Sequence, residues 1–189
     1  NGDFYIDMDT SGGYKVLLKQ MDKLVTKTKD DFKVRKIDQM GLRELLPTAR
    51  IKLNSGSDNF VSRVLQRYGY SFDAARMDLT SSPETGLNGD VEVHRLLADS
   101  MQLDTVRLTL FSDDTQLRFN GQVRNNNRNP QYVFNTLFNG YLQETGATLN
   151  VRYYDQKDVL GIRLGAVAEM QEHGIKPTAN RILVVKALD

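Results

Sequence analysis

The sequence predicts a mostly β, antiparallel protein with two helices near its N-terminus. Three observations predict it. Apolar and polar residues alternate with a period of two over most of the chain. The helical spacing i, i+3, i+4, i+7 is confined to the first third. The runs are separated by turns too short to hold crossover helices, so neighbouring strands pair antiparallel.

Phe4, Ile6 and Met8 alternate with Tyr5 and Asp7 and predict a first strand. Ser11-Gly12-Gly13 then breaks the chain, and Tyr14, Leu17, Leu18, Met21, Leu24 and Val25 form one helical face over roughly Gly13 to Thr28. Ala49, Ile51 and Leu53 alternate again. A second helix over about Asp58 to Tyr68 carries Phe60, Val61, Val64, Leu65 and Tyr68, with Ser57 or Asp58 as its N-cap and Gly69 to end it. Further on, Val106, Leu108 and Leu110 oppose Arg107 and Thr109, and Leu117, Phe119, Gly121 and Val123 oppose Gln116, Arg118, Asn120, Gln122 and Arg124. Ala147, Leu149, Val151 and Tyr153 repeat the pattern, and Leu160 to Met170 extends it. Turns are marked by Ser112-Asp113-Asp114, Asn125 to Pro130, Glu144-Thr145-Gly146, Asp155 to Asp158 and Glu172-His173-Gly174.

Each strand therefore has one apolar face, and no helical pattern after residue 70 can cover it. A sheet folded onto itself, a second sheet, or a trough open to a lipid-like ligand all satisfy that pattern. No linker divides the 189 residues, which suffice for one domain or two small ones.

Composition narrows the function. Lys+Arg 25 against Asp+Glu 24 gives a net charge of +1, which argues against a nucleic-acid partner. With no Cys there is no disulfide framework, thiolate nucleophile or zinc–sulfur site. No apolar run approaches a membrane span. The opening Asn1-Gly2-Asp3 reads as an excised piece or processed chain.

The search for chemistry returns ordinary readings. His94 stands at polar parity on a strand and His173 in a turn, neither with metal-ligand spacing around it, so both read as surface residues and no metal or cofactor is expected. The acidic pairs Asp30-Asp31, Asp113-Asp114 and Asp155/Asp158 read as turn formers. Asp7 to Gly13 has the flavour of an aspartic-protease loop but no second copy. There is no phosphate loop or nucleophile elbow. Arg107, Arg118, Arg124, Arg152 and Arg163 read as a charged outer face that keeps the sheet soluble.

One stretch is more specific. Leu79 to Asp90, Gln116 to Asn126, Asn129 to Phe134 and Val151 to Asp155 resemble a late part of TamB-family proteins (translocation and assembly module), which belong to the AsmA-like group of bacterial envelope proteins, in a long form from Bacteroides-like bacteria. Gly12 to Leu18 and the Asp58 helix fit the same family, and the resemblance weakens after Lys176. It implies an antiparallel meander curled into a β-trough, β-taco-like, with residues 1–189 as one periplasmic segment of a longer inner-membrane-anchored protein. Residues 1–70 would be the helix-containing part and 71–189 the trough. It further implies a non-enzymatic role in moving phospholipid between the inner and outer membranes, in outer-membrane protein assembly, or in both, with a TamA-type outer-membrane partner. A dimer through cut edges of the segment is a further partner expectation.

Parity supplies the expected groove: Leu108, Leu110, Leu117, Phe119, Val123, Leu149, Val151, Tyr153, Leu160, Ile162 and Leu164, with Phe134 and Phe138 beside them. The same residues would form the core of a closed structural or adhesive β domain. A third reading, a hydrolase, requires Asp7, Asp9, Asp113 and Asp114 to meet in a cleft with raised pKa values.

Overall fold

The computed structural model describes residues 4–33, 38–98, 101–126, 133–171 and 174–184. The elements run β1 (Phe4–Thr10), α1 (Gly13–Lys33), α2 (Gln39–Glu44), β2 (Ala49–Gly56), α3 (Phe60–Gln66), β3 (Tyr70–Ser71), β4 (Ala74–Ser82), β5 (Gly86–Ala98), β6 (Met101–Ser112), β7 (Gln116–Asn125), β8 (Phe134–Gln143), β9 (Gly146–Tyr154), β10 (Leu160–Gln171) and β11 (Gly174–Val184). Ten strands form one path, β1-β2-β4-β5-β6-β7-β8-β9-β10-β11, antiparallel throughout, and the two-residue β3 pairs with β5 beside it. The sheet is a curled meander that does not close on itself. Strands from residues 4–10 and 49–56 thus join the same sheet as those beyond residue 70.

Helix placement differs from the expectation. α1 continues one turn past Thr28, and α2 is an additional short helix whose six residues hold too few apolar positions to show a period. It starts because the Asp38 side chain accepts from the Gly41 backbone N–H at 2.9 Å. α3 is capped by Asn59 rather than by Ser57 or Asp58. Asn59 and Ser62 cap each other reciprocally, and Asn59 Nδ2 donates to Ser55 Oγ at 3.0 Å, tying the helix to the end of β2. His173 and the segment Asn127 to Pro130 lie outside the described residues. β11 crosses the region where the resemblance weakens, and places Pro177 on an edge strand, where a missing N–H is tolerated.

The sheet carries little sealed core. Among the described residues the buried apolar side chains are Leu17, Ala49, Phe72 and Phe134, with Pro47. Rigidity at one end of the sheet comes instead from a buried cation. Arg43 on α2 donates from Nε to the Pro83 carbonyl at 2.9 Å, from Nη1 to the Asp113 carbonyl at 2.6 Å and from Nη2 to the Glu84 carbonyl. Its exposed neighbour Asp114 approaches to 3.7 Å. One planar guanidinium thereby joins the β4–β5 and β6–β7 turns and docks α2 against both. The β6–β7 turn is itself built on Asp113, whose carboxylate accepts from the Thr115 N–H and hydroxyl and from the Gln116 N–H.

Two outcomes follow. Arg43→Ala orphans three carbonyls and lowers unfolding stability by about 2–4 kcal/mol. Arg43→Lys recovers little of it, since an ammonium lacks the fork; urea melts measure both. The Thr115 N–H and hydroxyl, with Gln116, hold the Asp113 carboxyl down at about 2 from 3.8. The folded value is the lower one, so its contribution is complete above pH about 4 and is lost as the pH falls towards 2. An NMR titration of the Asp113 carboxyl should show its midpoint at about 2.

Candidate functional site

In an antiparallel ladder, directly opposed residues share a face. The register therefore shows which side chains form rows across the strands. One row runs Ile6, Leu53, Met77, Val91, Leu108, Gly121, Phe138, Val151, Leu164. A second runs Met8, Ile51, Leu79, Gly89, Leu110, Phe119, Gly140, Leu149, Ala166. A third runs Phe4, Ser55, Ala75, Val93, Val106, Val123, Thr136, Tyr153, Ile162. Ser112, Leu117, Leu142, Ala147 and Ala168 share a shorter one. The first two rows contain no polar side chain. Each of these rows crosses nine paired strands, or eight spacings of about 4.8 Å, so it extends roughly 38 Å along the sheet.

The two central rows keep contact with solvent along their length, none of their residues being buried. Leu108, Leu110, Leu117, Phe119, Val123, Leu149, Val151, Tyr153 and Leu164 are half-buried, and Ile162 is 43% exposed. Towards the β1 edge Ile6 and Met8 are 47% and 43% exposed. Ten of the eleven expected groove residues share this face. Leu160 does not. A register shift between Leu160 and Ile162 pairs Leu160 with Tyr154, at a position of the opposite face, because Gly161 and Ile162 together oppose Tyr153. Simple alternation cannot foresee a bulge, and the only sign of it was Gly161.

The expectation also left β1, β2, β4 and β5 out of the groove altogether. Ile6, Leu53, Met77 and Val91 stand in register with Leu108, and their own parity was the signal for them. β8 contributes Phe138 and the buried Phe134, whose ring stacks on Tyr153 at 6.0 Å. Phe138 lies across Gly121 and Phe119 across Gly140, so that a Cβ at either glycine would overlap a ring. The two rings sit 6.5 Å apart, tilted by 45°. These glycines let aromatic rings lie flat along the sheet and fill the space without blocking the rows.

The face ends in polar groups at one side. Asp104 and Asn125 share its parity and are buried. The Asp104 N–H donates to Asn125 Oδ1 at 2.9 Å, and the Asn126 N–H donates to Asp104 Oδ2 at 2.6 Å.

The opposite face is charged. Arg107 donates to Glu92 at 2.7 and 2.8 Å, holding that carboxyl below its usual range, and His94 Nε2 lies 2.9 Å from the same oxygen. Lys52 meets Asp78 at 3.3 Å, and Asp90 accepts from Thr109 at 2.6 Å. Arg107, Arg118, Arg124, Arg152 and Arg163 all stand at exposed positions of this side. Asp7 and Asp9 oppose Lys52 and Arg50 here, while Asp113 is engaged in its turn with a lowered pKa, the reverse of what a general acid needs. Among the described residues no three His, Asp or Glu gather as a metal site.

No family model, curated protein or solved structure matches the chain. The arrangement itself is a one-sided surface: wide, apolar and unsealed in front, ion-paired and wet behind. It has the chemistry to remove hydrocarbon from water.

Gly121→Val forces the Phe138 ring off the sheet. It should cost about 1–3 kcal/mol in a denaturant melt and disperse the Phe119 and Phe138 ring resonances.

Proposed function

We propose that this chain is a non-enzymatic lipid-carrying segment whose apolar rows accept the acyl chains of phospholipid. The observation that carries the reading is the continuity of the two central rows across the sheet, with no second layer sealing them among the described residues. Each CH₂ that moves from water onto such a surface gains ~0.8 kcal/mol. Dispersion contacts do not distinguish head groups, so selectivity among phospholipids is weak. The aromatic-over-glycine pairs keep the surface smooth along the direction in which a chain would slide.

The resemblance to TamB-family proteins points the same way. On that basis the proposed setting is the periplasm, as one segment of an inner-membrane-anchored protein serving transfer towards the outer membrane beside a TamA-type partner. Support for outer-membrane protein assembly is separate. Among the described residues β1 and β11 are each paired on one side only, and an unpaired edge offers a client strand main-chain hydrogen bonds. A closed structural domain is less well supported, because the sheet does not close and its apolar face stays half-exposed.

Photo-crosslinking side chains at Leu108 and Phe138 should capture phospholipid, while the same group at Arg107, on the charged face, captures little. Paired substitutions Leu108→Arg and Val151→Arg place charge in the central row and should lower bound lipid by roughly tenfold or more. Equal labelling of both faces, or none, overturns the reading. Capture of β-strand peptides at β1 or β11 with no lipid at Phe138 favours assembly instead.

A further inference from the structure

Positive charge is concentrated in one element. Residues 13–33, which form α1, hold six lysines against three aspartates, a net +3. The rest of the chain holds 19 basic against 21 acidic residues, a net −2. At 1.5 Å per residue the helix is about 32 Å long.

Its sides are used unequally. Leu17 is buried and Leu24 half-buried, and they form the line on which α1 is seated. Lys27 faces its support as well, bonding Asp38 at 2.5 Å and Asp31 at 3.3 Å, which raises its pKa chiefly through Asp38. Beside that line Leu18, Met21 and Val25 are 60%, 46% and 46% exposed. Their i, i+3, i+7 spacing places them within an arc of roughly 60°. Past that arc come Lys29, Lys15, Lys33 and Lys19, all exposed; Asp22 and Asp30 stand among them, and Asp30 is paired with Lys33 at 3.2 Å.

We propose that α1 docks on an anionic phospholipid bilayer, with Leu18, Met21 and Val25 in the acyl boundary and Lys15, Lys19 and Lys29 against the head groups. A partly seated helix with an unsealed apolar stripe flanked by lysines is the arrangement that lies in a membrane interface. The charge identifies the surface: a second copy would bring one +3 helix against another, whereas acidic lipid complements it. This docking goes beyond the trough and stands whether or not the trough takes lipid.

The chain has no Trp, so one can be introduced as a reporter. In the full chain, Leu18→Trp should shift its emission to the blue with phosphatidylcholine vesicles doped with phosphatidylglycerol. It should not do so with phosphatidylcholine alone. Phe111→Trp, exposed on the charged sheet face, should shift with neither. Combining Lys15→Gln, Lys19→Gln and Lys29→Gln should weaken vesicle binding by at least tenfold, since each lysine near such a surface is worth roughly fivefold. High salt should act likewise. An unchanged Leu18→Trp spectrum, an equal shift with neutral vesicles, or a shift that follows protein concentration without vesicles overturns the docking. Trough labelling at Phe138 is read independently, so either proposal can fail alone.

Discussion

The antiparallel ladder is the constraint on which everything else rests. Each strand satisfies its backbone groups on its neighbours, and the pleat then sends alternate side chains to opposite faces. Because opposed residues share a face, a single parity propagates from β1 to β10 through the pairing of each strand with its neighbours. The apolar front and the ion-paired back are two readings of that one alternation. A bulge, as at Gly161, is the means by which a residue such as Leu160 leaves its expected side.

A single curled layer gains less from burial than a sandwich does, so its ends matter more. Arg43 spans two turns about thirty residues apart in sequence, and its buried guanidinium replaces part of the cohesion that a sealed core would provide. The Asp113 turn and the Asn59–Ser62 cap act in the same way, by giving polar groups at strand ends fixed partners. The broad face of the sheet can then remain unsealed.

The helices divide between bracing and exposure. α2 and α3 are short and tied down by their caps and by Arg43. α1 is long, basic and seated along one line, with its neighbouring apolar stripe turned outward. Positive charge in α1 and half-buried apolar rows on the sheet are the two surfaces on which the lipid proposals rest, one through head-group charge and the other through exclusion of water.

The alternation in the sequence determined strand character, antiparallel connection and the sharing of one face by Leu108, Phe119, Val151 and Leu164, since parity is local and needs no partner. The helical spacing of Leu17, Leu18, Met21 and Leu24 determined α1 for the same reason. Tertiary structure alone decided that the face stays open, that Leu18 and Leu17 have opposite fates, that Leu160 crosses sides, and that Arg43 holds two turns. Each of these depends on what stands opposite a residue in space, and periodicity carries no information about a partner thirty or seventy residues away.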